Sequence, residues 1–280
     1  MVIIIHIAMS VIRRMTILKV FFTLGIVFLF VTCCSDKKRN ETIDNKSEWV
    51  QLFNGKNLDN WIVKIKDHPL NDNYNDTFRV EDSILKVSYD KYDTFGKSYG
   101  HIFYKQPFSS YKLRMQYRFV GEQATGGQEW ATKNSGIMIH SQSPESMLLD
   151  QEFPVSLEVQ FLGGIEEGVE RPTGNLCTPG THVVMDSLIT KHCINSTSQT
   201  FYGDEWVDVE LTVLKDSLII HSINGKEVIR YSKPVYGGDF IPETEEWKTK
   251  IGKPVTNGYI ALQSESHPIE FRKIELLELK

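Results

Sequence analysis

Three stretches of this sequence alternate apolar and polar residues in a way that leaves chemistry-bearing side chains on one face. In Asn134-Ser-Gly-Ile-Met-Ile-His-Ser-Gln142, Ile137 and Ile139 share one face, and Gly136, Met138, His140 and Gln142 share the other. In Val155-Ser-Leu-Glu-Val-Gln-Phe161, Leu157, Val159 and Phe161 point one way, and Ser156, Glu158 and Gln160 the other. In Leu262-Gln-Ser-Glu-Ser-His267, Gln263, Glu265 and His267 fall together. Successive side chains of a strand point to opposite faces. If the three strands are neighbours, one sheet therefore presents His140, Glu158, Gln160, Glu265 and His267 on a single surface. Amide, imidazole and carboxylate groups offer donors and acceptors together, which suits a hydroxyl-rich ligand. A merely solvated face looks different: between Tyr111 and Phe119 the polar positions are Lys112, Arg114, Gln116 and Arg118.

Each of these residues also has a plain structural explanation. A single Glu or His on a strand is commonly a solvated or hydrogen-bonded bystander. Glu158 with Gln160 is the stronger pair, because both interrupt an otherwise apolar strand. His182 and His192 lie in a long connection and could be pocket residues or ordinary loop histidines; His221, beside a hairpin, reads as structural. His140, His182, His192 and Glu158 could in principle hold a divalent metal. No tight spacing such as His-x-x-x-His supports that, so no cofactor is implied with certainty. Trp130 fits a rim position from which an aromatic face could stack on a sugar ring.

The elements that must position these groups read as strands almost throughout. Val207 to Val213 repeats the period-two alternation. Leu218–Ile223 and Lys226–Tyr231 flank Asn224-Gly225, the pair favoured in type I′ hairpin turns because both positions need positive φ. Phe78–Val80 with Ile84–Ser88 forms another hairpin, and Gly258–Gln263 and Ile269–Leu279 close the chain as two more strands. No helical stripe and no internal repeat is present. The pattern predicts an all-β fold of two packed antiparallel sheets. The long connections, residues 67–77, 121–134, 163–181 and 233–257, hold Trp130, the Arg171–Thr181 run and Trp247; connections of this length are usually functional.

At the N-terminus, Arg13, Arg14 and Lys19 precede an apolar run from Val20 to Val31, then Thr32-Cys33-Cys34-Ser35. The run is shorter than the ~20 apolar residues of a membrane-spanning helix and has the length of a signal-peptide core. A cysteine directly after it predicts lipidation at Cys34, with Cys33 as the alternative. The expected organisation is a lipoprotein signal at 1–34, a polar tether at 35–46 and one domain at 47–280. The protein is then lipid-anchored in the cell envelope, on the periplasmic or outer-membrane surface, and meets a membrane through its lipid alone. Removing residues 1–34 takes away three basic and no acidic residues and leaves 28 basic against 36 acidic, a net charge of −8. Such a chain has no electrostatic reason to bind nucleic acid. Cys177 and Cys193 remain and could pair outside the cytoplasm, although nothing in the sequence fixes their separation.

Leu52-Phe-Asn-Gly-Lys-Asn-Leu-Asp-Asn-Trp61 resembles the opening motif of the 3-keto-disaccharide hydrolase family. Asn134–Ile137, Leu157–Gln160, Asn224-Gly225, Gly258–Gln263 and Ile269–Ile274 resemble further motifs of that family, in family order. The resemblance implies a concanavalin A-like jelly-roll sandwich, export as a lipoprotein, and action on an oxidised sugar or glycan bearing a C3 ketone. A C3 ketone acidifies the C2 hydrogen, so a base can remove it and expel the C1 substituent, and water addition gives net hydrolysis. On this reading Glu158 or His182 is the base, and His140 or His267 the proton donor. Gln160, Glu265, His267 and Trp130 bind the substrate. His140 stands where many relatives carry Arg or Lys, and Arg171–Thr181 and His192–Thr200 look particular to a subgroup. A conventional retaining glucanase needs two carboxylates about 5 Å apart. The strand partner of Glu158 is Gln160, whose amide cannot be a nucleophile. A non-catalytic carbohydrate-binding lipoprotein is the reading from another class.

Overall fold

The computed structural model describes residues 48–280; Cys34, the leader and the tether lie outside the described residues. Among them the chain forms β1 (Val50–Gln51), β2 (Trp61–Ile65), β3 (Phe78–Glu81), β4 (Ile84–Val87), β5 (Gly100–Tyr104) and β6 (Ser110–Phe119). β7 (Asn134–Ser141), β8 (Leu157–Leu162), β9 (Asn175–Cys177), β10 (Thr181–Val184), β11 (Leu188–Ile189) and β12 (Cys193–Ile194) follow. The rest is β13 (Val207–Leu214), β14 (Leu218–Ile223), β15 (Lys226–Tyr236), the short helix α1 (Glu245–Lys248), β16 (Tyr259–Ser264) and β17 (Ile269–Glu278). The strands build two antiparallel sheets. One has ten strands, in the order β11-β10-β15-β14-β13-β6-β17-β4-β3 with β1 added beside β17; the other has seven, β12-β9-β8-β7-β16-β5-β2. Consecutive strands such as β5 and β6, or β16 and β17, belong to different sheets, so the chain crosses repeatedly between layers. This is the jelly-roll, concanavalin A-like sandwich.

Alternation explains the layering. Leu157, Val159 and Phe161 of β8 and Ile137 and Ile139 of β7 are fully buried, as are Leu211 and Val213 of β13 from the facing sheet. Tyr117 of β6 stacks on Phe161 of β8 with ring centroids 4.1 Å apart, which joins the two layers face to face. Asn224 and Gly225 take positive φ of 47° and 76°, as the hairpin between β14 and β15 requires. The seven-stranded sheet thus has one face sealed in the core and the other free to carry a site.

Candidate functional site

Strand register brings the polar positions together. Glu158 lies opposite Met138 of β7 on one side and Cys177 of β9 on the other. Gln160 lies opposite Gly136 and Asn175. β16, which leads into Glu265, pairs with the far edge of β7. Gly136 is the residue that makes the site possible. A Cβ at this position would sit 2.9 Å from Oε1 of Glu158 and 3.0 Å from its Cγ. Its absence lets the Glu158 side chain lie across β7 towards Glu265.

Above this floor is a cavity of about 660 Å³. Glu158, Gln160, Glu265 and Asn134 form its polar side. Trp130, Phe153, Phe240, Pro179 and the Cys177–Cys193 disulfide form much of the remainder, with Arg171 and His192 at the edges. Glu158 and Glu265 are only 7% and 3% exposed, and neither carboxylate receives a hydrogen bond among the described residues. Burial pushes Glu158 well above the usual carboxylate range. Burial, reinforced by the neighbouring Glu158 charge, does the same to Glu265. The pair therefore holds a proton more tightly than free carboxylates do. The Gln160 amide oxygen accepts from Asn175 Nδ2 at 3.1 Å, which leaves its NH₂ group available to a ligand. The Arg171 guanidinium is occupied as a clamp, donating to the carbonyls of Gly163 at 2.6 Å and Lys133 at 3.2 Å.

The structure gathers Glu158, Gln160, Glu265 and Trp130 around one cavity and sends the other expected residues elsewhere. His140 is turned away by a bulge. It adopts φ 48°, the β7–β16 register shifts beside it, and its Nε2 donates to the Lys215 carbonyl at 3.0 Å, in the turn between β13 and β14 of the facing sheet. Gly258 allows that bulge, since a Cβ there would lie 2.3 Å from the His140 carbonyl carbon. His182 belongs to the other sheet: it pairs with Val235 of β15, and its ring lies against Gly237 and Gly238. Its neighbour Val183 is the residue that enters the core. His267 loses its expected direction at Ser266, whose φ of 92° breaks the alternation. Its ring packs edge-on against Phe119 at 5.6 Å. Burial, then the charges of Lys133 and Arg171, push it down to about 4. The expected metal set is dispersed as a result, because only His192 and Glu158 of the four reach the cavity. Cys177, His192 and Cys193 place ligand atoms within 4.8 Å of one another, but the two sulfurs are bonded to each other and offer no thiolate.

The disulfide joins directly opposed residues of β9 and β12. Sequence reasoning missed Asn134, Phe153 and Phe240 as cavity residues, and treated Arg171 only as part of a distinctive stretch. Phe153 and Phe240 sit in connections with no periodicity to assign their direction. The signal that could have marked them is an aromatic residue inside a long connection. The polar floor continues beneath Phe153 as His101 and Gln263, register partners that are fully buried and have no hydrogen-bond partners for their side chains. Burial pushes His101 down to about 3, so it is neutral.

No curated protein matches the chain. Among solved structures it is similar to a candidate glycosyl hydrolase from Parabacteroides distasonis ATCC 8503. The two are 21% identical with a TM-score of 0.49, covering 83% of this chain and 100% of that one. A second such protein from the same organism is 17% identical with a TM-score of 0.48, over 83% and 94% of the two chains. A carbohydrate-binding module from Bacillus subtilis is 7% identical with a TM-score of 0.44, over 78% and 96%. Residues 48–277 fit the family model of the 3-keto-alpha-glucoside-1,2-lyase-like domain, and the chain belongs to that family.

Proposed function

We propose that this domain cleaves the glycosidic bond of glycosides oxidised at C3, with Glu158 and Glu265 as the proton-handling pair. Family membership supports glycosidic-bond cleavage or carbohydrate binding as the broad activity. The observation that carries the finer reading is the meeting of two buried carboxylates beside Gly136, each with its proton affinity raised. Two adjacent buried carboxyls resist ionising together, so once one has given up its proton the other keeps its own, which gives a base and an acid in one cavity. The ionised partner, assigned to Glu158, removes the C2 hydrogen of the 3-keto sugar. Its electron pair is held as the enolate at C3, towards which the Gln160 NH₂ can donate. The enolate then re-forms the ketone as the C1–O bond breaks, leaving a C1=C2 double bond, and the departing oxygen takes the proton from Glu265. Water adding across that double bond returns hydrogen to C2 and hydroxyl to C1, so the sum is hydrolysis.

Ordinary retaining hydrolysis would ask one carboxylate to stay ionised as a nucleophile. The elimination needs an ionised carboxylate as well, but a raised carboxyl is the stronger base once ionised, and with both carboxyls raised the pair suits proton transfer at carbon better. The test is incubation of the purified domain with a 3-keto-glucoside and with the same glucoside unoxidised, in D₂O. Aglycone release from the keto form alone, with deuterium at C2 of the sugar product, is the expected result. Release from the unoxidised glucoside would replace this reading with ordinary hydrolysis. Binding of both without release would replace it with carbohydrate binding.

A further inference from the structure

The two sides of the cavity differ in chemistry. Glu158, Gln160 and Asn134 sit on the strands of the floor, and Glu265 directly follows β16. Opposite them runs an unbroken series of rings. Trp130 stacks on Tyr99 at 6.0 Å, Tyr99 meets Phe153 at 5.1 Å, Phe153 meets Phe240 edge-on at 5.6 Å, and Phe240 meets His192 at 5.0 Å. Trp130 at one end of the arc and Phe240 near the other are open, 51% and 44% exposed. Large apolar side chains at a cavity mouth are costly to leave wet and mark a place where a ligand buries apolar surface.

Phe240 is also held in an unfavourable backbone conformation. Its φ of 71° lies in the left-handed region, which is uncommon for a bulky aromatic. The preceding Asp239 is tied down, since its carbonyl accepts the Gly180 N–H at 2.6 Å. The fold thus keeps an exposed ring over the cavity at a cost in local strain. Around that ring the lining is Phe153, Pro179 and the disulfide. Glu152 nearby is paired with Lys66 at 3.0 Å. The His192 ring is the other polar group at this end, and burial lowers its proton affinity. A second pyranose bound at this end would leave most of its hydroxyls without partners, and unpartnered polar groups penalise binding. A flat apolar ring needs none.

We infer that the Phe153–Phe240–His192 end of the cavity is a subsite for an aromatic leaving group, so that the preferred substrates are aryl glycosides and not disaccharides. This rests on the proposed cleavage site for its orientation, with the sugar over the carboxylates, but its test is binding and needs no turnover.

The experiment is calorimetric titration of the intact exported domain with phenyl glucoside, methyl glucoside and a glucose disaccharide, using both anomers of each glucoside. Burial and stacking of a phenyl ring predict that phenyl glucoside binds at least about tenfold more tightly than either of the others. Phe240→Ala should bring phenyl glucoside to within about threefold of methyl glucoside, and Phe240→Leu should fall between. Phe240 is largely exposed, so these variants should fold, and their thermal midpoints check that they do. Equal binding of the three ligands, no detectable binding of phenyl glucoside, preference for the disaccharide, or a phenyl preference that survives Phe240→Ala each overturns the inference. A phenyl preference without cleavage of the 3-keto glucoside would uphold the subsite and overturn the cleavage reading. Cleavage of a 3-keto-disaccharide with no phenyl preference would do the reverse.

Discussion

Glu158 is where sequence and chemistry meet most sharply, because it is a carboxylate with no protein donor in a place that raises its proton affinity. A positioned acid or base contributes about two to four orders of magnitude in rate. Glu158→Gln should therefore lower turnover of a 3-keto-glucoside at least about a hundredfold in a steady-state assay. The stability effect has a definite sign. A carboxyl whose folded-state proton affinity is raised makes the native state bind more protons than the unfolded chain. Its contribution is full below the unfolded value near 4.5 and is lost as pH rises through the raised folded value. Glu158→Gln should match the wild-type thermal midpoint near pH 4.5 and exceed it at pH 8. A midpoint difference that shrinks as pH rises would show that the carboxylate is held ionised. Gly136→Ala tests the same geometry from beneath. The added Cβ would meet Oε1 of Glu158 at 2.9 Å and the Val159 carbonyl oxygen at 3.0 Å. Displacement of a reacting group by about 1 Å can cost on the order of a hundredfold, so kcat should drop by one to two orders of magnitude while the circular dichroism spectrum stays that of a β sandwich.

At the scale of elements, the two-residue strand β12 depends on its crosslink. Among the described residues it pairs only with β9, and Cys193 lies opposite Cys177, 16 positions further along the chain. Closing a loop of that length stabilises the fold by roughly 3 kcal/mol in the chain-entropy model. A Cys177→Ser, Cys193→Ser double variant should lose about that much in denaturant unfolding. It should also bind phenyl glucoside more weakly, because His192 precedes β12 directly. Unchanged unfolding would mean that β9 and the Thr178–His192 backbone bonds hold the segment unaided. The strands themselves were legible: β6, β7, β8 and β13 lie where the period-two runs lie, and β14 and β15 flank the Asn224-Gly225 turn. Parity also assigned Glu158, Gln160 and Glu265 to one face. It failed at His140 and His267 for a single physical reason. Positive φ at His140 and at Ser266 inserts a half-turn into the alternation, and neither residue type announces one as glycine would. His182 was misplaced differently, since nothing local to Thr181–Val184 tells which of the two sheets will claim it. The aromatic arc was illegible because contacts between separate connections have no period at all.

For the whole molecule, the two sheets divide the work. The ten-stranded sheet carries ion pairs on its outer face: Arg118 with Glu270 at 2.7 Å, Arg114 with Glu275, and Trp206 covered by the guanidinium groups of Arg118 and Arg272. The seven-stranded sheet carries the cavity. Neither gives the domain a reason to stay at a membrane surface. The chain beyond Cys34 carries a net charge of −8, which anionic lipid headgroups repel. Among the described residues no helix is long and apolar enough to cross a bilayer. We propose that attachment rests on the lipid at Cys34, set by the basic Arg13-Arg14 and Lys19 region, the apolar Val20–Val31 run and the cysteine that follows. Mass spectrometry of the mature protein should find an N-terminal cysteine at position 34 carrying acyl chains, and stable anchoring takes two such chains. Cys34→Ser should move the protein from the membrane to the soluble fraction, equally at low and high salt, since no electrostatic attraction remains to be screened. Membrane retention of Cys34→Ser that salt disperses would assign the attachment to charge. Retention that salt leaves untouched would assign it to an uncleaved leader or to acylation at Cys33, which the mass of the N-terminal peptide separates.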